Sequence, residues 1–172
     1  MNVRQETAQD FDEIYHLVRT AFETAEVSDG REQDFVSSLR YSENYIPELA
    51  LVAEEGRKII GHIMLTRQRI VLNEKSINAL LLAPVCVDIA FRRKKLGSRL
   101  IDTALEKAEK FGFDAVFLVG NPDFYNRFGF EETVAKNVKN LNGLPDRYVL
   151  VKELKKGCLD GCSGTIDFDY EF

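Results

Sequence analysis

An amphipathic helix between two apolar runs is the feature that most constrains the fold of this 172-residue chain. The run ALLLAPVCV at 79–87 precedes it, and the run AVFLVG at 115–120 follows it. Continuous apolar runs bounded by glycine or proline are typical of buried strands in parallel sheets. We therefore predict a β-α-β unit over 82–120. The apolar stripe of its helix consists of Leu96, Leu100, Ile101, Ala104, Leu105, Ala108 and Phe111.

The remainder of the chain predicts further strands and two more helices. A short strand at 2–6 leads to Thr7 and Asp10, whose spacing is typical of a helix cap, and a second short helix includes Phe35. Strand periodicity over 49–89 predicts an antiparallel meander. Its strands are LALVAEE, KIIGHIMLTRQRIVL and INALLLAPVCVDI, and the later sequences RYVLVKEL and GTIDFDYEF predict two more. The expected fold class is α/β (α+β mixed sheet) in one domain over 1–172.

Composition and charge exclude several functions. The net charge of −5 and the pI near 5.2 argue against nucleic acid, which requires a broad basic surface. No apolar run is long enough to span a bilayer, so we expect a cytoplasmic protein without a membrane partner. Three cysteines suit a reducing compartment. Cys158 and Cys162 have only two histidines to complete a zinc site, so we favour ordinary loop cysteines and expect no metal.

Four consecutive cations, Arg92, Arg93, Lys94 and Lys95, precede the predicted helix of the β-α-β unit. Cations at a helix N-terminus oppose its dipole, whereas an anion there is stabilised by unpaired N–H groups. The run therefore indicates either a phosphorylated ligand or a solvated charged surface. A P-loop is absent, and Gly97 stands without the other glycines of a dinucleotide fingerprint.

The same region resembles the acetyl-CoA-binding motif [QR]-x-x-G-x-[GA] of the GNAT superfamily of N-acetyltransferases. The residues that carry this resemblance are Pro84, Val85, Val87, Arg92, Lys95, Leu96, Gly97, Ser98 and Leu100. The segment GNPDFYNRFGF at 120–130 is similar to the tyrosine-containing segment after the superfamily's fifth strand. Nearly the whole chain is similar to a bacterial, largely uncharacterised subgroup of predicted N-acetyltransferases. Lys95 stands where the motif has glycine.

The resemblance implies the GNAT acyl-CoA N-acyltransferase fold, an antiparallel meander followed by a β-α-β crossover, with acetyl-CoA as cosubstrate. It implies cofactor binding by Val85, Cys86, Val87, Arg92, Arg93, Lys94, Lys95, Leu96, Gly97, Ser98 and Asn121. Backbone at 84–87 would pair with the pantetheine arm, although Pro84 could equally just start a strand. Tyr125 would protonate the departing thiolate as general acid, or else it packs beneath the sheet.

The expected reaction is direct transfer of an acetyl group to a primary amine on a small molecule or protein. Cys86 has no activating histidine or acid nearby in the sequence, which argues against a covalent intermediate. Five acids between the first two helices could attract a cationic amine or form a solvated surface: Glu23, Glu26, Asp29, Glu32 and Asp34. The alternative function is a non-catalytic acyl-CoA sensor. The C-terminal strands could pair across a homodimer.

Overall fold

Four helices and ten strands form the regular structure of residues 1–25 and 28–168, which the computed structural model describes. The helices are α1 (Phe11–Phe22), α2 (Glu32–Arg40), α3 (Leu96–Lys110) and α4 (Pro122–Tyr125). The strands are β1 (Asn2–Gln5), β2 (Ala50–Glu55), β3 (Lys58–Gln68), β4 (Ile70–Leu72), β5 (Ala79–Val87), β6 (Ala115–Val119), β7 (Glu131–Glu132), β8 (Val138–Asn140), β9 (Val149–Glu153) and β10 (Gly164–Ile166). Within the described residues, no helix is long and apolar enough to cross a bilayer.

These elements belong to two compact units. The first comprises Met1–Thr66 and Leu82–Lys107, and the second comprises Arg67–Leu81 and the chain from Ala108 onward. The boundaries fall within β3, β5 and α3, so each of these elements contributes residues to both units. This division does not test the expectation of one domain over 1–172, which stays a prediction.

The first unit contains the antiparallel pairs β1/β2 and β2/β3. Nearly all of β2 and β3 is buried, which explains their long apolar sequences. Gly61 of β3 lies under α3, since a Cβ at this position would come within 2.9 Å of Leu100 Cδ1. The glycine therefore allows the helix to pack closely on the strand. As predicted, Thr7 and Asp10 stand before α1, with the Thr7 N–H donating to the Asp10 carboxylate at 2.7 Å.

The second unit contains a mixed sheet, as predicted. Its parallel pair joins Ala79–Leu81 of β5 to Ala115–Phe117 of β6, and α3 connects these strands. β6 pairs antiparallel with β9, and β9 pairs antiparallel with β7. The β-α-β crossover predicted from the sequence is thereby confirmed.

A separate three-stranded sheet in the order β4, β10, β8 corrects two strand predictions. The sequence 58–72 predicts one meander strand, but β3 ends at Gln68 and the next three strand residues, β4, pair with β10 instead. The sequence 164–172 predicts a long strand, but β10 spans only Gly164–Ile166. Residues 169–172 lie outside the described part of the chain. Strand periodicity cannot distinguish one long strand from two strands in different sheets, because apolar and polar side chains alternate in the same way in both cases.

An ion-pair network lies buried in the first unit. The Glu6 carboxylate accepts hydrogen bonds from Arg40 Nε and Nη2 at 2.8 and 2.9 Å, from the Tyr45 hydroxyl at 2.8 Å, and from His62 Nε2 at 2.8 Å. Burial alone would raise the pKa of Glu6, but the donors from Arg40 and His62 outweigh burial and lower this pKa to about 2. Burial lowers the pKa of His62, so its imidazole is neutral with the proton on Nε2. Its Nδ1 is buried without a hydrogen-bond partner.

Candidate functional site

The four-cation run lies in the first unit, in the turn that connects β5 to α3. A 3₁₀ turn at Ile89–Phe91 leads into it and is capped by Asp88, whose carboxylate accepts from the Ala90 N–H at 2.9 Å. Asp88 also pairs with Lys58 Nζ at 2.6 Å. The approach to the cationic turn is therefore fixed by local hydrogen bonds.

Two of the four cations have a left-handed backbone. The φ angles of Arg93 and Lys95 are 63° and 61°. A non-glycine residue in this region costs about 1–2 kcal/mol, so such geometry is unusual outside functional turns. Lys95 thus adopts the backbone that favours glycine, the residue which the resembling motif has at this position.

The side chains of the run divide into two pairs. Arg92 hydrogen bonds to Ala21 and Thr24 near the end of α1, and Lys94 Nζ lies 4.8 Å from the centre of the Phe91 ring. Across residues 1–25 and 28–168, the side chains of Arg93 and Lys95 make no hydrogen bond or ion pair. These two cations are accordingly available to a ligand.

Unpaired N–H groups lie beside these cations. The Arg99 N–H donates to the Lys95 carbonyl at 3.0 Å, so the hydrogen-bond ladder of α3 starts there. The N–H groups of Leu96, Gly97 and Ser98 precede that ladder and carry the positive end of the helix dipole. Left-handed turns that gather N–H groups at a helix start form concavities for anions. The turn is therefore suited to a phosphate group.

Strand β5 supplies backbone next to the turn. Its pairing with β6 covers only the first three of its nine residues. The predicted cofactor residues Val85 and Val87 are half-buried, and Cys86 is buried. Burial raises the pKa of the Cys86 thiol to about 12, so it stays protonated and is a poor nucleophile.

Tyr125 lies in the second unit, at the end of α4. Asn121 caps this helix, since its side-chain oxygen accepts from the Asp123 N–H at 2.9 Å. The Tyr125 ring lies edge-on to Phe124 and Phe130, at centroid distances of 4.9 and 5.8 Å. It also covers the backbone of Gly120, where a Cβ would come within 2.5 Å of the ring. The ring is therefore held in one orientation by its neighbours.

The Tyr125 hydroxyl has no hydrogen-bond partner among the side chains and backbone groups of the described residues. Burial raises its pKa to about 12, so the phenol carries its proton at neutral pH. The alternative of a hydroxyl bonded locally beneath the sheet finds no partner atom here. Tyr125 can donate a proton to a bound group.

Three of the five acids between Glu23 and Asp34 accept hydrogen bonds from groups of the protein. Asp29 accepts from the Arg31 N–H at 2.8 Å, and Asp34 accepts from the Tyr15 hydroxyl at 2.9 Å. Glu32 accepts from the Asp29 N–H at 3.1 Å, and its other carboxylate oxygen is buried with no donor among residues 1–25 and 28–168. Glu23 is exposed, and Glu26 lies outside the described residues. Asp29 and Glu32 therefore stabilise the local turn, and Asp34 joins α2 to α1.

The C-terminal cysteines are buried and free. Cys158 Sγ lies 3.4 Å from the Asp114 carbonyl oxygen, and Cys162 Sγ lies 3.8 Å from the Asp160 carbonyl oxygen. Among the described residues, no group of three or more His, Cys, Asp or Glu side chains could hold a metal ion. The two thiols pack within their loop.

Comparison with known proteins identifies the family of this chain. The family model described as an acetyltransferase (GNAT) domain matches residues 2–133, which include both the cationic turn and Tyr125. The chain belongs to the GNAT acetyltransferase family. It is therefore an acyltransferase, and the GNAT fold predicted from the sequence is confirmed.

Bacterial relatives support this assignment. The uncharacterized N-acetyltransferase YjhQ of Escherichia coli is 32% identical over 133 residues, which cover 77% of this chain and 71% of YjhQ. The uncharacterized N-acetyltransferase YhbS of Escherichia coli is 28% identical over 174 residues, covering 100% of this chain and 98% of YhbS. The GNAT chain is thus similar to the bacterial, uncharacterised subgroup that its sequence resembles.

Two solved structures resemble the GNAT chain closely. Escherichia coli YhbS in complex with CoA has a TM-score of 0.85 at 25% identity, covering 97% of this chain and 88% of that chain. A GNAT family acetyltransferase from Brucella melitensis in complex with acetyl-CoA has a TM-score of 0.72 at 26% identity, covering 88% and 86%. Both neighbours were therefore crystallised with a coenzyme A species.

Sequence reasoning missed the partners of the cationic turn and the buried ion-pair network. Nothing in the sequence near Arg92 indicates that Ala21 and Thr24 accept its hydrogen bonds, because about 70 residues separate them. For the network a signal exists. His62 interrupts the apolar run KIIGHIML, and a polar residue in a buried strand requires a partner.

Proposed function

We propose that this GNAT protein transfers an acetyl group from acetyl-CoA to a primary amine on a small molecule or protein. The observation that carries the proposal is the turn before α3. There Arg93 and Lys95 have left-handed backbones, and their cationic side chains make no hydrogen bond or ion pair within the described part of the chain. Anions are stabilised by such turns and by helix N-termini, and CoA carries a pyrophosphate. The CoA-bound relatives support the same assignment.

Cofactor binding in this proposal uses three parts of the chain. The N–H groups of Leu96, Gly97 and Ser98 bind the pyrophosphate, and Arg93 and Lys95 supply countercharge. Backbone of Val85, Cys86 and Val87 pairs with the pantetheine arm as an added strand, which the short pairing of β5 with β6 supports. Lys94 belongs to the same turn, whereas the Arg92 N–H already donates to the Ile89 carbonyl at 3.4 Å. Asn121 has a free amide N–H₂ to offer, because its side-chain oxygen caps α4.

The chemistry proposed is direct transfer. The thioester supplies an activated acetyl carbon, which a neutral amine attacks while the C–S bond breaks. A backbone N–H of β5 stabilises the negative charge on the carbonyl oxygen. Tyr125 donates its phenolic proton to the departing sulfur, and the amine proton passes to a base or water. Cys86 takes no covalent part, because its thiol pKa is about 12.

Isothermal titration tests this proposal. Acetyl-CoA should bind with micromolar affinity, and desulfo-CoA should bind similarly because it retains the phosphates. Adenosine diphosphate should bind more weakly, because it lacks the pantetheine arm. Release of thiol in the presence of an amine panel then separates transfer from a non-catalytic sensor. No binding at millimolar acetyl-CoA would refute the proposed cofactor site.

Lys95→Gly should stabilise the protein by about 0.5–1 kcal/mol, because glycine adopts positive φ without strain. Affinity for acetyl-CoA should be unchanged or higher, since the backbone N–H remains, Arg93 still supplies countercharge and the turn loses its strain. Urea denaturation and titration calorimetry measure the two effects. Lys94→Gly is the matched control and should destabilise the protein, because Lys94 is not among the described residues with positive φ. A loss of affinity above tenfold in Lys95→Gly would show that the lysine side chain itself holds the phosphates.

Gly97→Ala should separate stability from binding. A Cβ at this position would lie 3.7 Å from Val87 Cγ2, an ordinary contact, so the protein itself accepts alanine. The helix should gain about 0.5 kcal/mol, whereas affinity for acetyl-CoA should fall at least about tenfold if the phosphates touch this backbone. Thermal denaturation and calorimetry of one preparation provide both values. Unchanged affinity would contradict close approach of the phosphates to Gly97.

A further inference from the structure

The guanidinium of Arg92 reaches three oxygens on two separate elements of the first unit. Nη2 donates to the Ala21 carbonyl at 2.7 Å and Nη1 donates to the Thr24 hydroxyl at 2.8 Å. Nε donates to the carbonyl of Val87, the last residue of β5, at 3.4 Å. The planar fork of arginine can serve several acceptors at once, which an ammonium on a flexible stem does poorly.

The acceptors on α1 belong to its C-terminal end. Ala21 lies in the last turn of α1, where carbonyl groups have no intrahelical partner and the helix dipole is negative. The Thr24 hydroxyl donates to the same carbonyl at 3.3 Å while it accepts from Arg92. A cation here satisfies these oxygens and neutralises the dipole, so the contact is stabilising on electrostatic grounds.

Arg92 is also the first residue of the strained turn. Arg92 has an extended backbone, with φ of −64° and ψ of 158°, and the left-handed Arg93 follows it directly. Strained backbone persists only where its surroundings hold it in place. Arg92 is held by α1 on one side and by the end of β5 on the other. Its anchored side chain therefore accounts for the fixed conformation of the residues after it.

We propose that Arg92 is a positioning residue that clamps the cofactor turn onto the C-terminal end of α1. Its side chain does not contact the phosphates, which the N–H groups of Leu96, Gly97 and Ser98 bind instead. Glu23, Thr24 and Ala25 follow α1 directly, so cofactor binding at the turn is coupled to these three residues. The cofactor part of this inference rests on the proposed function, whereas the clamp itself does not.

Hydrogen exchange without ligand tests the clamp. The Glu23 and Ala25 N–H groups donate to Arg19 and Phe22 carbonyls and report on the end of α1. Arg92→Lys and Arg92→Gln should each speed their exchange about threefold or more, because a charge-assisted hydrogen bond is lost. Arg57→Lys, at an exposed arginine outside the turn, is the matched control and should leave it unchanged. Normal exchange in both Arg92 variants would overturn the clamp.

Titration with coenzyme A tests the coupling. At a position that binds phosphate, lysine can replace arginine because its ammonium binds phosphate as a point charge. At a position that holds several oxygens at once, the planar fork of arginine is required. Arg92→Lys should therefore weaken binding about tenfold, while Arg57→Lys, at an exposed arginine outside the site, should bind as the wild type does. Full affinity in Arg92→Lys would overturn the positioning role. If wild-type protein fails to bind coenzyme A, the proposed function fails, and the exchange data still decide the clamp.

Thr24→Val is a second variant in case the Arg92 variants unfold. It removes one acceptor while keeping side-chain size, and Thr24 is exposed, so the protein should fold. Exchange at Ala25 should rise, by less than in the Arg92 variants. No change in exchange with an unchanged thermal transition would count against the clamp.

Discussion

Replacing Tyr125 by phenylalanine is expected to lower kcat by about 10²–10⁴-fold, the usual range for loss of a general acid. The ring should keep its place, because Phe124, Phe130 and the backbone of Gly120 contact carbon atoms that phenylalanine retains. Only the hydroxyl is removed, and it bonds to nothing in the described part of the chain. Steady-state thiol release with an accepted amine measures the loss.

Three observations separate this role from a structural one. Acetyl-CoA affinity of Tyr125→Phe should stay within about twofold of the wild type, because the phenol acts only as the C–S bond breaks. Tyr41→Phe, at an exposed tyrosine, should keep full activity. The pKa of Tyr125 is about 12, so its ionisation should not lower wild-type activity between pH 8 and pH 10. Wild-type turnover by Tyr125→Phe would show that another group protonates the thiolate.

Glu6→Gln is expected to destabilise the protein by about 3–5 kcal/mol, equivalent to a fall of roughly 6–20 °C in Tm. The side chains of Glu6 and Arg40 are 0% and 5% exposed, so the substitution leaves the Arg40 cation buried without its counterion. Glutamine also directs an N–H₂ group at Arg40, Tyr45 or His62, which all donate to the carboxylate now. Urea denaturation of both proteins measures the difference.

A matched substitution controls for the chemical change alone. Glu131 is 51% exposed and pairs with Lys136 at 3.3 Å. Glu131→Gln should cost less than about 1 kcal/mol, because exposed ion pairs are screened by water. Equal losses in the two variants would mean that burial of the Glu6 network contributes little to stability.

The elements near the proposed site were largely predictable. The apolar stripe of α3 and the runs on either side of it specify the crossover, because helical and strand periodicities differ strongly. The cap Asn121-Pro122-Asp123 also carries a helix signal that was available in the sequence, yet α4 was not predicted. The end of β3 at Gln68 and the start of β4 in a second sheet were not predictable. The pairing of β4 with β10 joins residues more than 90 positions apart.

The sequence by itself determined the crossover, the place of the cationic turn and the family motif around Gly97. These depend on local spacing, which a helix or a strand translates directly into position. Tertiary structure alone decided which of the four cations make contacts within the chain. Arg92 contacts the end of α1, Lys94 contacts the Phe91 ring, and Arg93 and Lys95 make no hydrogen bond or ion pair with the residues that the structure describes. The sequence alone does not show which of four adjacent cations has a partner. One oxygen that accepts from Arg92 lies 71 residues away along the chain, and such a contact has no local sequence signal.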